Sequence, residues 1–161
     1  IFTVGSSALK HSTVGDFTNL RNPKKPAGGD NGGRMKGGGH SQANLDELSS
    51  RGIAYRIEKT YDNGVRIGGV EGHATKDKVL GKTGQSWFPE DWDNEKARVA
   101  GTYVANRPAV TEELTDKAGN IIGYRKFQEY DGVTVGIFED VHHNIDTIFP
   151  DAKQREVTGE W

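Results

Sequence analysis

The chain has 161 residues, a formal net charge of −2 and no cysteine. That length is one domain by the usual prior and is enough to bury a real core. Lack of cysteine excludes disulfides and thiolate metal sites, and the slight negative charge argues against a protein that coats nucleic acid non-specifically, a mode that depends on many Lys and Arg contacts to phosphate. A single domain over residues 1–161 is expected. Because the sequence begins at Ile1 and not at methionine, the expectation is the C-terminal fragment of something larger. Ile1–Lys10 has no basic segment followed by a long apolar core, and no apolar run approaches the roughly 20 residues of a spanning helix, so neither a signal peptide nor a membrane anchor is expected.

In chain order, Leu9 to Phe17 reads equally as a helix end or as a strand with His11 near its edge. Arg21 to Gly39 is a Gly-, Pro-, Asn- and Lys-rich loop, and its length predicts that it borders a functional site. It ends in Gly37-Gly38-Gly39-His40, where glycines permit positive φ or a close approach to the backbone. Ser41 to Arg51, with Leu45 and Leu48, predicts a short helix with Ser41 as N-cap. His40 then stands at a helix N-terminus, where free amides favour phosphate and disfavour a protonated imidazole, so a neutral His40 can act as a base.

Ile53 to Tyr61 and Val65 to Val70 flank Asp62-Asn63-Gly64, a strong hairpin signal. A third strand is expected to end near Lys82, after His73. Asn94 to Asn106 predicts a second helix, capped by Asp93 and stopped at Arg107-Pro108, with Trp87, Phe88 and Trp92 assigned to packing. The last third reads as an antiparallel meander: Ile121 to Tyr130, a turn at Asp131-Gly132, Val133 to Phe138, a loop through His142-His143-Asn144, and Ile145 to Phe149. Helix, hairpin, helix and meander together predict an α+β fold with helices on one side of an antiparallel sheet. Lys10, Arg21, Lys24, Lys25, Arg34 and Lys36 all precede His40 while acidic residues dominate later, which places positive charge around the glycine-histidine turn.

Without cysteine or a Gly-x-Ser-x-Gly motif, the simplest catalytic toolkit is histidine plus lysine. Cleavage of RNA by its own 2′-hydroxyl suits it: one histidine takes the 2′ proton, another protonates the departing 5′ oxygen, and a lysine holds the charge that grows on phosphorus. Asp140, His142 and His143 are a competing metal-site candidate, weakened because adjacent histidines point apart on a strand.

Lys10-His11-Ser12-Thr13-Val14-Gly15-Asp16-Phe17 resembles the first-histidine motif of the EndoU endoribonucleases, and Gly37-Gly38-Gly39-His40 resembles their second. Lys82-Thr83-Gly84-Gln85-Ser86-Trp87-Phe88-Pro89-Glu90-Asp91-Trp92 looks like the lysine motif of the bacterial branch, and Asn144 to Pro150 is similar to the closing strand. The resemblance implies His11 and His40 as the acid–base pair, Lys82 as charge stabiliser, and Thr147 with Phe149 as pocket wall. Gly38, Gly39 and Ser86 are expected to contact substrate, and no metal or other cofactor is called for. Two departures stand out: Phe149 occupies a position where many relatives carry tyrosine, and the loop between the histidines is long. His73 matches no family motif. Which histidine is the acid stays open at the level of motifs.

The resemblance further implies a barnase-like toxin ribonuclease fold, with helices packed on a twisted antiparallel sheet. Bacterial members are typically C-terminal toxin domains of secreted or contact-delivered proteins, paired with an immunity protein. The expected activity is a metal-independent endoribonuclease working in a target cell's cytoplasm, with a tRNA loop as one candidate target. The rival readings are a non-catalytic RNA- or protein-binding module of the same fold and a metal-dependent hydrolase built on Asp140, His142 and His143.

Overall fold

Residues 9–17, which periodicity leaves open between helix and strand, contain both. In the computed structural model, which describes residues 2–18, 33–159 and 161, helix α1 covers Ser6–Thr13. It ends at Gly15, whose φ of +95° supplies the left-handed turn that commonly stops a helix. The turn feeds β1 (Asp16–Phe17), which pairs antiparallel with β2 (Met35–Gly37). Of the long loop expected over residues 21–39, residues 21–32 lie outside the described residues.

Helix α2 (Gln42–Ser50) follows the glycines, with Ser41 at the N-cap position but making no side-chain capping bond. It buries Asn44, Leu45 and Leu48 against a core completed by Met35, Ile53, Val70 and Trp87. The hairpin forms as read: β3 (Tyr55–Thr60) and β4 (Arg66–Val70) pair antiparallel around Gly64, at φ +96°. The third strand does not end near Lys82. Lys76–Lys78 is a single 3₁₀ turn, and the strand that joins β4 is β5 (Gln85–Trp87). The reason lies in a loop pinched at its base, where the Gly84 amide donates to the Asp77 carbonyl at 2.9 Å.

Helix α3 (Asn94–Asn106) is capped by Asp93, whose carboxylate accepts from the Lys96 amide at 2.7 Å. Then β6 (Val110–Thr115), β7 (Ile121–Tyr130), β8 (Val133–Asp140) and β9 (Ile145–Pro150) form one antiparallel sheet in that order. Strand β6 is an addition to the expected meander. It is a mostly exposed edge with Glu112 and Glu113, and charge on an edge hides the apolar alternation that announces a strand.

Side chains alternate across this sheet. Val133, Val135, Ile137, Ile145 and Ile148 pack with Ala97, Ala100 and Val104 of α3 and with Phe88 and Trp92, so these two aromatics serve packing, as does Trp87 in the α2 core. The architecture is α+β with three helices among the described residues and antiparallel sheets, in agreement with the α+β class expected. Helix α1 lies along the outer edge of β9, where the Ile148 amide donates to the Ser12 hydroxyl at 2.8 Å.

Candidate active site

Helix α1 ends with carbonyls that have no partner inside the helix. The glycine turn supplies partners for three of them: the amides of Gly39, His40 and Ser41 donate to the carbonyls of His11, Ser12 and Thr13 at 2.9, 2.6 and 3.3 Å. The two histidines, 29 positions apart in sequence, are thereby fixed to each other through main chain. This zipper explains the glycines better than phosphate binding does. Gly38 and Gly39 have φ of +63° and +69°. Their carbonyls accept from the Gln85 side chain at 3.1 and 2.8 Å, and the Gly39 amide is already taken by His11. Gly38 lines the cavity described next, whereas Gly39 packs on Asn44 and Met35 behind it.

His11 and His40 both line one cavity of about 520 Å³, with Lys78, Ser86, Arg125, Phe127, Phe138, Thr147, Phe149 and Arg155. The Nδ1 of His11 lies 2.6 Å from the Asp16 carboxylate and its Nε2 lies 3.1 Å from the Thr147 hydroxyl. A carboxylate on one ring nitrogen holds the proton there and orients the imidazole. Asp16 reaches back to His11 because Gly15 reverses the chain immediately after the helix. His11-x₄-Asp16 with that intervening glycine was the sequence signal for this pair.

His40 has the opposite environment. It is 5% exposed, and its Nδ1–H donates to the Ser86 carbonyl at 2.7 Å. Burial, reinforced by the Lys78 charge, pushes its pKa down to about 3. It is therefore a neutral imidazole with Nδ1 protonated and Nε2 left as the acceptor. The helix N-terminus argument anticipated the neutral state, but burial and a neighbouring cation are its main causes. Ser86, expected at the substrate, holds His40: its hydroxyl donates to the Pro150 carbonyl at 2.9 Å while its carbonyl takes the His40 proton.

Lys82 is not in this cavity. It sits exposed at the tip of the Asp77–Gly84 loop, lining a separate hollow with Tyr61, Ile67 and Lys153. Lys78, at the end of the 3₁₀ turn, is the lysine that lines the cavity with both histidines. Burial lowers the pKa of its ammonium, with Asp77 opposing the shift. The motif reading selected the lysine nearest the Ser-Trp-Phe-Pro segment, and sequence distance cannot reveal that the loop turns its tip outward. His73 underlies this turn. It is 3% exposed, its Nδ1 accepts from the Thr75 amide at 2.9 Å, and burial lowers its pKa to about 4.

The cavity's second wall is the sheet. Phe127, Gly136 and Phe149 lie opposite one another across β7, β8 and β9, and Arg125, Phe138 and Thr147 form the next row. Thr147 and Phe149 both line the cavity that holds the two histidines. Phe149 contributes a ring 6.0 Å from His40 and no hydroxyl. Arg155 closes one end in a two-point ion pair with Asp151, at 3.0 and 3.2 Å.

Asp140, His142 and His143 do not converge. The Asp140 carboxylate accepts from the amides of His142 and Asn144, while the His143 ring turns to the buried Glu139 at 2.5 Å. Glu139 also pairs with Lys126 at 3.0 Å. Among the described residues no three histidine or carboxylate groups are grouped to hold a metal ion.

A neutral imidazole, a carboxylate-supported imidazole and an ammonium thus meet around a phenylalanine-walled cavity. That arrangement can remove one proton, deliver another and stabilise an anion between them. No curated protein and no solved structure matches the chain. The family model described as "Bacterial EndoU nuclease" matches residues 6–152, from the start of α1 to just beyond β9, and on that match the chain belongs to the bacterial EndoU nuclease family.

Proposed function

We propose that this nuclease is an endoribonuclease that cleaves RNA by transesterification, with His40 as general base, His11 as general acid and Lys78 as charge stabiliser. The observation that carries the assignment is the contrast between the two histidines: one buried and neutral beside a cation, the other hydrogen-bonded to a carboxylate. The Nε2 of His40 takes the 2′-hydroxyl proton, the 2′ oxygen bonds to phosphorus, and the bond from phosphorus to the 5′ oxygen breaks. That oxygen receives a proton from the Nε2 of His11. The ammonium of Lys78 faces the non-bridging oxygens as negative charge builds on them. Bound phosphodiester also offsets the Lys78 field at His40 and so raises the basicity of an imidazole that is weak in the free protein. The products are a 2′,3′-cyclic phosphate and a 5′-hydroxyl, and none of these steps draws on a metal.

Delivery as the toxin domain of a larger secreted or surface protein, action in a target cell's cytoplasm, a tRNA target and neutralisation by an immunity protein complete the proposal. They rest on the motifs shared with the bacterial branch of the family. The test is incubation with total RNA, with and without EDTA, followed by analysis of the ends. Equal cleavage in both tubes with cyclic phosphate ends is expected. Cleavage abolished by EDTA would refute the mechanism, and no cleavage in either tube would favour a binding module.

A further inference from the structure

The turn that follows β9 is braced around one side chain. The Asp151 amide donates to the Thr134 carbonyl at 2.9 Å. The Gln154 side chain pairs with the same residue of β8 at two points, its Oε1 accepting from the Thr134 amide and its Nε2 donating to the Thr134 carbonyl, both at 3.0 Å. The Thr134 hydroxyl donates to the Arg155 carbonyl at 2.7 Å, and the Tyr61 hydroxyl donates to the Ala152 carbonyl at 2.7 Å. Asp151 is 4% exposed, and its carboxylate accepts from the Arg155 amide at 2.8 Å as well as from the Arg155 guanidinium.

This bracing leaves one edge of the guanidinium open. Its Nε and Nη2 donate to Asp151 at 3.0 and 3.2 Å, and Trp161 lies against its face at 3.8 Å to the ring centroid. Nη1 and the second hydrogen of Nη2 have no acceptor among the described residues. They form a fork of two parallel donors, held in place before a ligand arrives. Arg155 lines the same cavity as His40 and Phe149. Phe149 is 6.0 Å from His40, Phe127 is 5.9 Å from Phe149, and the guanidinium is 5.5 Å from Phe127, so the fork stands two aromatic rings away from the proton-accepting histidine.

We infer that Arg155 reads the nucleobase of the nucleotide whose 2′-hydroxyl His40 deprotonates, and that it selects guanine through O6 and N7. This rests on the assignment of His40 as general base, which puts the ribose of that nucleotide at His40 and the edge of its base remote from the sugar toward Arg155. Asp151 already offsets the charge of the fork, which therefore suits a neutral pair of acceptors better than a phosphate. On the remote edge guanine offers O6 and N7 side by side, whereas adenine sets an amino donor beside N7, cytosine presents an amino donor and uracil has O4 alone. Phe149, which has no hydroxyl, packs against the base and leaves its identity to Arg155.

The test measures kcat/KM for GpA, ApA, CpA and UpA, and for GpA carrying 7-deazaguanine, which lacks the N7 acceptor. In the wild-type protein GpA should exceed each of the other three by about 10-fold or more, the size of one bidentate arginine–guanine contact, and the deaza substrate should lose most of that advantage. Arg155→Lys keeps a cation for Asp151 without the fork, so GpA and its deaza analogue should be cleaved alike and the four natural substrates should converge. A uniform drop on every substrate in Arg155→Lys, with the wild-type preference kept, would assign Arg155 a purely structural role and overturn the inference. Equal wild-type cleavage of GpA and its deaza analogue would overturn it without recourse to a variant, and would leave the endoribonuclease reading intact. Failure of the wild-type protein to cleave any of the five substrates overturns that reading and guanine selection with it.

Discussion

Replacing Gly38 with alanine tests whether the main-chain zipper between α1 and the glycine turn sets the catalytic geometry. A Cβ at Gly38 would stand 2.0 Å from the His11 carbonyl oxygen and 2.8 Å from its carbon, both backbone atoms that no side-chain rotation can move away. Ordinary contact at this position begins at 3.4 Å, so the turn and the end of α1 must part by more than an ångström. The φ of +63° adds about 1–2 kcal/mol for any residue with a Cβ, and overpacking adds about 1–3 kcal/mol. The expected loss of stability is therefore about 2–5 kcal/mol. Because the separation acts on the bond between the Gly39 amide and the His11 carbonyl, both histidines shift, and a displacement of that size costs about 100-fold in rate. Gly37→Ala is the control: Gly37 is outside the positive-φ set, and its Cβ would meet only the His11 ring at 3.8 Å. Urea unfolding and RNA cleavage, measured on both variants, give the comparison. If Gly38→Ala behaves like Gly37→Ala in both assays, the zipper is not what aligns the pair.

Lys78→Ala should lower kcat by about 100-fold or more, the size of losing a charge-stabilising donor. Lys82→Ala should stay within a few-fold of wild type, and the reverse order in single-turnover rates would restore the motif assignment. Ser12→Ala removes the hydroxyl that bridges α1 to β9, donating to the Ala8 carbonyl at 2.7 Å and accepting from the Ile148 amide at 2.8 Å. It leaves a buried amide without a partner, so a destabilisation of about 1–3 kcal/mol is expected in chemical denaturation, and a smaller change would mean the site relaxes. Acid should destabilise the fold through His40 and His73. Their pKa values fall from 6.5 to about 3 and about 4 on folding, so the unfolded chain binds protons that the native state refuses. Stability is unaffected by these two groups above pH 6.5 and declines as pH falls from there toward 4, by on the order of a few kcal/mol for each histidine. His73→Asn keeps an acceptor for the Thr75 amide and should flatten this acid slope in urea midpoints between pH 7 and 4.5; an unchanged slope would show that His73 does not titrate in this way.

Local rules account for much of this protein. The Asn63-Gly64 hairpin, the Asp93 cap on α3, the strands of the C-terminal meander and the class of the fold follow from turn chemistry, capping and period-two alternation, which act over a few residues and so are written in a few residues. The four motifs marked both histidines, Thr147 and Phe149, although groups distant in sequence hold them: His40 by the Ser12 and Ser86 carbonyls, and His11 beside Thr147. Strand β6 escaped because its outward-facing charges carry no apolar pattern. Only the tertiary structure decided that Lys78 and not Lys82 enters the cavity, because the path of the loop closed by the Gly84–Asp77 hydrogen bond sets which side faces in. It likewise decided that the Ser86 carbonyl holds the His40 ring, that Gly39 packs on Asn44 and Met35, and that Arg125 and Phe138 lie beside Thr147. Register between strands fixed that last juxtaposition, and register is a property of the assembled sheet, set by the packing of its buried face against α3.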